Sequence, residues 1–208
     1  MTATAAGSGP RRLAPTPTLT REAADLVLLA LARAFDDAVA AALAGDVAGA
    51  RAVLRTGRRR RARLGRATTI AGLGLPAGTS RQRRATTDRV LLAGDLQRLE
   101  VVLEQLARVV VAGDAADPDG DTRAALERLR ACGVERLHHL ATRPCGPSMT
   151  RDHHRCGQTL LGLLGAFDTP SPEPGDDEPL RRTAAALTAT LLDASRHAAR
   201  AALGDQVA

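Results

Sequence analysis

The sequence predicts an all-α protein of two tandem three-helix bundles, the second shortened, and three observations carry that prediction. The first is composition: Ala, Leu and Arg dominate, and these residues lose least on entering a helix. A β-sandwich or barrel draws on β-branched and aromatic residues, whereas here aromatics make up 1% and there is a single Ile. The second is periodicity, with apolar residues recurring in alternating steps of four and three along two long stretches. The third is repetition: a helix-loop-helix-loop-helix scheme occurs twice, each time closing on a heptad-patterned helix, which implies an internal duplication.

Residues 1–18 combine small residues, Pro15, Pro17 and Arg11–Arg12 with no apolar stretch, so they read as a disordered tail and not as a signal peptide. Residues 19–113 form the first bundle. Thr20 is placed as the N-cap of its first helix, with Glu22 in the first turn where the helix dipole favours negative charge. Leu28, Leu31, Phe35, Val39 and Leu43 make the inward face, Gly45 stops the helix, and Asp46 caps the next. The second helix puts Val47, Ala50 and Leu54 on one face and Leu64, Thr68 and Ala71 on its continuation, with Arg58 to Arg61 between them. Residues 72–80 (GLGLPAGTS) are a connector. The third helix carries the clearest seam, Leu92, Leu96, Leu99, Leu103, Leu106 and Val110, and ends near Gly113.

Residues 114–121 (DAADPDGD) form a turn-rich linker, and 122–208 the second, degenerate bundle. Its first helix, from Thr122 to Thr142, turns Leu126, Leu129, Leu137 and Leu140 inward, with Gly133 weakening its middle. A shorter helix follows Pro147 and carries Leu160, Leu161, Leu164 and Phe167. After a Pro-rich acidic loop, the last helix aligns Leu180, Ala184, Leu187, Leu191, Ala194, Ala198 and Ala201.

The stretch from Thr86 to Val110, TTDRVLLAGDLQRLEVVLEQLARVV, resembles the third helix of a PhoU repeat, in which an early Arg precedes a segment like DLERIGDHAxNIA. Asp95, Leu96, Gln97, Arg98 and Leu99 follow that segment, and Arg89 supplies the early Arg. The first two helices resemble the family down to the Gly45–Asp46 turn followed by Ala48 and Ala50; in the second half only Leu191, His197 and Ala198 match. The resemblance implies two three-helix bundles and a cytoplasmic regulator of phosphate uptake linking a phosphate ABC transporter to a sensor histidine kinase. It also implies multinuclear metal sites held by acidic pairs four residues apart, since such carboxylates share one helix face and bridge hard cations. At those positions this chain has Gln97 and Val101 in the first repeat, and Leu192 and Arg196 in the second. An amide, two aliphatics and a cation do not make a metal site, so none is assigned.

Other chemistry-bearing groups divide between structural and functional readings. Glu100 with Glu104 has metal-ligand spacing but reads as a solvated helix face relieved by Arg98 and Arg108. Asp193 with His197 has the same spacing and reads as an intrahelical hydrogen bond. Cys132, His138, His139, Cys145, His153, His154 and Cys156 lie in one span, yet their spacings match no zinc-finger pattern, and they read as small buried thiols and surface histidines. Cys145, between Pro144 and Gly146, is the expected reactive thiol. Three cysteines without an export signal also argue against a disulfide framework.

The formal charge is +6, from 29 basic and 23 acidic residues, and every basic residue is Arg. These arginines peak on the second helix, where Arg55, Arg58, Arg59, Arg61, Arg63 and Arg66 form a partner- or anion-facing group, with Arg60 among them. Guanidinium forks fit phosphate and carboxylate bidentately. Two Phe cannot build a base-stacking platform, and catalytic motifs such as G-x-S-x-G or H-E-x-x-H are absent. No apolar run reaches the ~18 residues of a membrane span. By the resemblance, the expectation is a non-enzymatic, cofactor-free cytoplasmic regulator of phosphate uptake. Its partners, by resemblance, are the transporter ATPase and the sensor kinase, with peripheral membrane association through the transporter and room for a homodimer. The alternative is an Arg-rich helical module that binds nucleic acid or anionic lipid, nucleic acid being the less expected ligand.

Overall fold

A computed structural model of the chain describes residues 21–73, 79–113, 118–142, 147–169 and 177–205. These form six helices and, among the described residues, no strand: α1 (Arg21–Ala44), α2 (Val47–Leu73), α3 (Ser80–Ala112), α4 (Gly120–Thr142), α5 (Pro147–Asp168) and α6 (Glu178–Asp205). The expected tail at 1–18, the Thr20 cap, most of the 72–80 connector, and Cys145 lie outside the described residues, as do the side chains of Thr68, Ala71 and His153.

The punctuation works as the local chemistry dictates. Gly45 ends α1 with a φ of 61°, a conformation that costs glycine little, and the Asp46 carboxylate accepts hydrogen bonds from the backbone N–H of Ala48 and Gly49, both at 3.0 Å. Gly113 closes α3 in the same left-handed region. Asp119 caps α4, accepting from the Thr122 N–H at 2.6 Å.

Within each half, all three helices touch one another; between halves, α3 packs along α6 and α1 along α4. Exchanging α1, α2 and α3 for α4, α5 and α6 leaves this set of pairings unchanged. One continuous core draws on all six helices. On α3, Leu96, Leu99, Leu103, Leu106 and Val110 are buried and Leu92 is half-buried. All seven predicted α6 positions are buried, and Ala184, Ala194, Ala198 and Ala201 keep that helix slim where α3 lies against it. Each fully buried Leu contributes roughly 2 kcal/mol of transfer free energy.

Two details of the helix faces differ from expectation. On α5 the inward residues are Leu160, Leu163 and Phe167, while Leu161 is 43% exposed, because Leu163 and not Leu161 continues the three-residue step toward α6. On α4, Gly133 is a contact point: the fully buried Phe35 ring of α1 lies on it, and a Cβ there would overlap the ring edge.

Polar ties reinforce the junctions. Arg130 of α4 donates to Asp36 of α1 at 2.6 Å. The Thr122 hydroxyl donates to Asp177, joining the starts of α4 and α6, and the buried Arg136 donates to the Ser195 hydroxyl of α6 at 2.9 Å. Among the described residues no helix is long and apolar enough to cross a membrane.

Candidate functional site

The α2–α3 interface organises the arginine-rich segment into two layers. The stripe of α2 that meets α3 runs Ala50, Val53, Gly57, Arg60 and Leu64, in steps of three, four, three and four, and Arg60 therefore occupies a seam position. Gly57 is buried and opens a notch; a Cβ there would overlap the Glu104 carboxylate and press on Glu100 Oε1 at 3.2 Å.

Glu100 and Glu104 are buried in this notch, at 0% and 3% exposure, which corrects the expectation of a solvated face. The reason is that α3 lies between α2 and α6 and so buries two sides: its leucine seam, and the side carrying the two carboxylates. Arg60 clasps Glu100 as a fork, its Nε donating to both carboxylate oxygens at 3.1 and 2.9 Å and its Nη2 to Oε1 at 2.8 Å. The same Nη2 reaches the Val53 carbonyl at 3.1 Å, and Nη1 contacts the Thr56 hydroxyl. Glu104 is bracketed by Arg108, which donates to Oε2 at 3.2 Å, and by Arg61, whose Nε lies 3.2 Å from Oε1 without the alignment of a hydrogen bond. Burial pushes the Glu100 carboxyl above its usual range; the Arg60 hydrogen bonds and charge oppose that rise, and neighbouring Glu104 adds to it.

The outer layer consists of Arg55, Arg58, Arg59, Arg63 and Arg66, all exposed. No acidic side chain among the described residues pairs with any of them. They extend over roughly 17 Å of helix, at ~1.5 Å per residue. Of the six arginines expected to face a partner, Arg61 also serves the interior through Glu104; Arg60, which lies between them in the sequence, belongs to the structural layer.

The remaining candidate residues separate. His197 does not pair with Asp193 along α6: its Nδ1 lies 2.5 Å from Oδ2 of the buried Asp95 on α3, while Asp193 pairs with Arg196 at 3.3 Å. The helix crossing brings position 95 nearer to the imidazole than the i,i+4 neighbour. Asp95 thus joins the two halves, and Arg98, 63% exposed, stands 3.8 Å from its other oxygen. Leu96 is buried in the core and Arg89 is exposed. Gln97 is half-buried, Val101 is 39% exposed, Leu192 is buried and Arg196 exposed, so the positions where the resemblance would put metal ligands offer no convergent carboxylates.

The Cys/His span also resolves. His138 and His154 are exposed, and His139 sits 3.9 Å from Glu135. Cys132 and Cys156 come together between α4 and α5, with sulfurs 3.2 Å apart. Among the described residues no three His, Cys, Asp or Glu side chains are grouped to hold a metal ion.

Sequence reasoning missed the Arg60–Glu100 fork, although the step from Val53 through Gly57 to Arg60 and Leu64 carries the signal. It missed the Asp95–His197 and Cys132–Cys156 pairs, for which there is no local signal. No family model, curated protein or solved structure matches the chain significantly.

Proposed function

We propose that this chain is a non-enzymatic helical regulator that works by docking the outer arginine layer of α2 on an acidic or phosphate-bearing surface of a protein partner. The observation that carries the reading is the five exposed guanidinium groups that find no acidic partner among the described residues, beside a second set paired with Glu100 and Glu104. Folding uses the inner set and leaves the outer one available for recognition.

The resemblance of the α3 segment to a PhoU repeat specifies the setting: regulation of phosphate uptake, in the cytoplasm, through a phosphate transporter ATPase and a sensor histidine kinase. The symmetric pairing of α1–α3 with α4–α6, tied by Asp95 and His197, supports a duplicated three-helix unit of the PhoU kind whose two copies share one core. The metal clusters of that family do not fit the residues here, and no part of the proposal runs through them.

The test is capture by the full-length protein from phosphate-replete cells, compared with the variant Arg55→Glu, Arg59→Glu, Arg63→Glu. Recovery of the transporter ATPase or the kinase by the parent but not by the variant, at equal helical content, is the expected result. Recovery of neither, or equal recovery by both, overturns the proposal.

The same arginine layer favours a second reading, binding to nucleic acid or anionic lipid. That reading predicts binding to duplex DNA or anionic vesicles that falls steeply from low to moderate salt, because counterion release dominates such contacts. Arg60→Ala would disturb the fold, so Arg55, Arg59 and Arg63 are the informative positions.

A further inference from the structure

Cys132 and Cys156, on α4 and α5, are free thiols with sulfurs 3.2 Å apart, and both are half-buried. A disulfide requires about 2.05 Å between sulfurs, so bond formation needs a closing movement of about 1 Å. The pair sits in the wall of a cavity of about 400 Å³ that also presents Arg128, Arg136, Arg155, Glu135 and His139. A water occupies about 30 Å³ in the liquid, so a molecule the size of hydrogen peroxide enters this cavity freely. Arg136 is the guanidinium that acts on the two sulfurs and favours thiolate over thiol, and Glu135 opposes it.

We propose that Cys132 and Cys156 form a redox site that reacts with hydroperoxides and closes to a disulfide bracing α5 against α4. The two sulfurs are not equivalent. The contact with Cys132 holds the Cys156 thiol below its ordinary range; Arg136 acts in the same direction and burial opposes it. The same contact, with burial, pushes Cys132 up. In this reaction Cys156 attacks and Cys132 resolves, an order that the serine variants test.

In the first step the Cys156 thiolate attacks one peroxide oxygen; an S–O bond forms, the O–O bond breaks, and the departing hydroxide takes up a proton to leave as water. Cys156 is now a sulfenic acid. In the second step Cys132, losing its proton, attacks the Cys156 sulfur; the S–S bond forms and the S–O bond breaks. The hydroxide released combines with that proton as water. One peroxide and two thiols give one disulfide and two waters. The bridge closes a loop between positions 132 and 156, restricts the unfolded chain and ties α5 to α4.

The experiment exposes the full-length protein to a small excess of hydrogen peroxide, alkylates the remaining thiols, and maps them by peptide mass spectrometry. The expected product carries a Cys132–Cys156 crosslink with Cys145 alkylated, melts at a higher temperature than the untreated protein, and reverts on addition of dithiothreitol. In Cys132→Ser the reaction stops at a Cys156 sulfenic acid that dimedone traps; in Cys156→Ser no dimedone adduct forms at position 132. The proposal is overturned if Cys145 is consumed before the pair, if the crosslinks join separate chains, or if both Cys132 and Cys156 stay alkylatable. Mapping the parent protein decides the matter even where a serine variant fails to fold.

Discussion

Truncating Arg60 tests the two-layer reading of α2 directly. Arg60→Ala removes three donor contacts to Glu100 and one to the Val53 carbonyl, and it leaves a fully buried carboxylate without its fork. Breaking a buried ion pair by deleting one partner costs about 3–5 kcal/mol. Glu100 has an escape, however, because it can take up a proton. From its ordinary value of 4.5, protonation at about pH 7 costs about 3.4 kcal/mol, at about 1.36 kcal/mol per pH unit. That sets a ceiling, and because burial already raises the parent carboxyl the expected loss lies below it, on the order of 1–3 kcal/mol at neutral pH, and shrinks on acidification. Arg59→Ala, one residue away but outside the seam, should change stability by less than about 0.5 kcal/mol. Urea unfolding followed by helical ellipticity measures both. The double variant Arg60→Ala, Glu100→Gln should recover most of the loss, since no charge is then stranded. If Arg60→Ala is as mild as Arg59→Ala, or its penalty does not move with pH, the inner layer is not what holds α2 to α3.

Three further outcomes follow from the same geometry. Glu100→Gln should match or exceed the parent at neutral pH. The folded carboxyl is raised above its unfolded value, so its stabilising contribution is fully present below about pH 4.5 and is lost as pH rises through the folded value. The parent's urea midpoint should therefore fall relative to that of Glu100→Gln as pH rises across that window. Gly133→Ala should destabilise by about 1 kcal/mol net in thermal or urea unfolding: crowding the buried Phe35 ring costs about 1–3 kcal/mol, against about 1 kcal/mol of helix propensity returned. A rise in stability would show that α1 and α4 can part there freely. His197→Ala should cost about 1–3 kcal/mol by leaving the Asp95 carboxylate buried without its closest donor, whereas Asp193→Ala should be close to neutral; a chemical-denaturation comparison of the two separates the inter-half bond from the intrahelical one.

What was legible in the sequence follows the range of the interaction. The α3 and α6 seams could be read because each repeats over six or seven apolar positions, and the turn at Gly45–Asp46 because both its glycine and its cap act within four residues. The burial of Glu100 and Glu104 could not be read from a single stripe. A helix flanked by neighbours on two sides buries a second face, and polar residues there look solvated until the second neighbour is known. Gly133 looked like a weak point because propensity is local, and its use as a seat for Phe35 depends on a residue almost a hundred positions earlier. Asp95 and His197, 102 residues apart, and the two cysteines, 24 apart, meet only through the packing of α3 on α6 and of α4 on α5.

The outer arginines are then best judged by what they cost. Arg55, Arg59 and Arg63 stand four apart on an exposed face, and each such like-charge pair destabilises a helix by about 0.2–0.5 kcal/mol. The inner layer returns nothing for this, since Glu100 and Glu104 are occupied by Arg60, Arg61 and Arg108. Replacing two or three of the outer residues with Gln or Ala would relieve the repulsion without touching the seam of Val53, Gly57, Arg60 and Leu64. A row of like charges beside a notch that neutralises the other arginines of the helix is the face on which the proposed docking rests. The variants Arg59→Gln and Arg63→Gln should accordingly stabilise the free protein slightly and weaken its hold on an anionic partner, and opposite signs in those two measurements distinguish a recognition face from a merely solvated one.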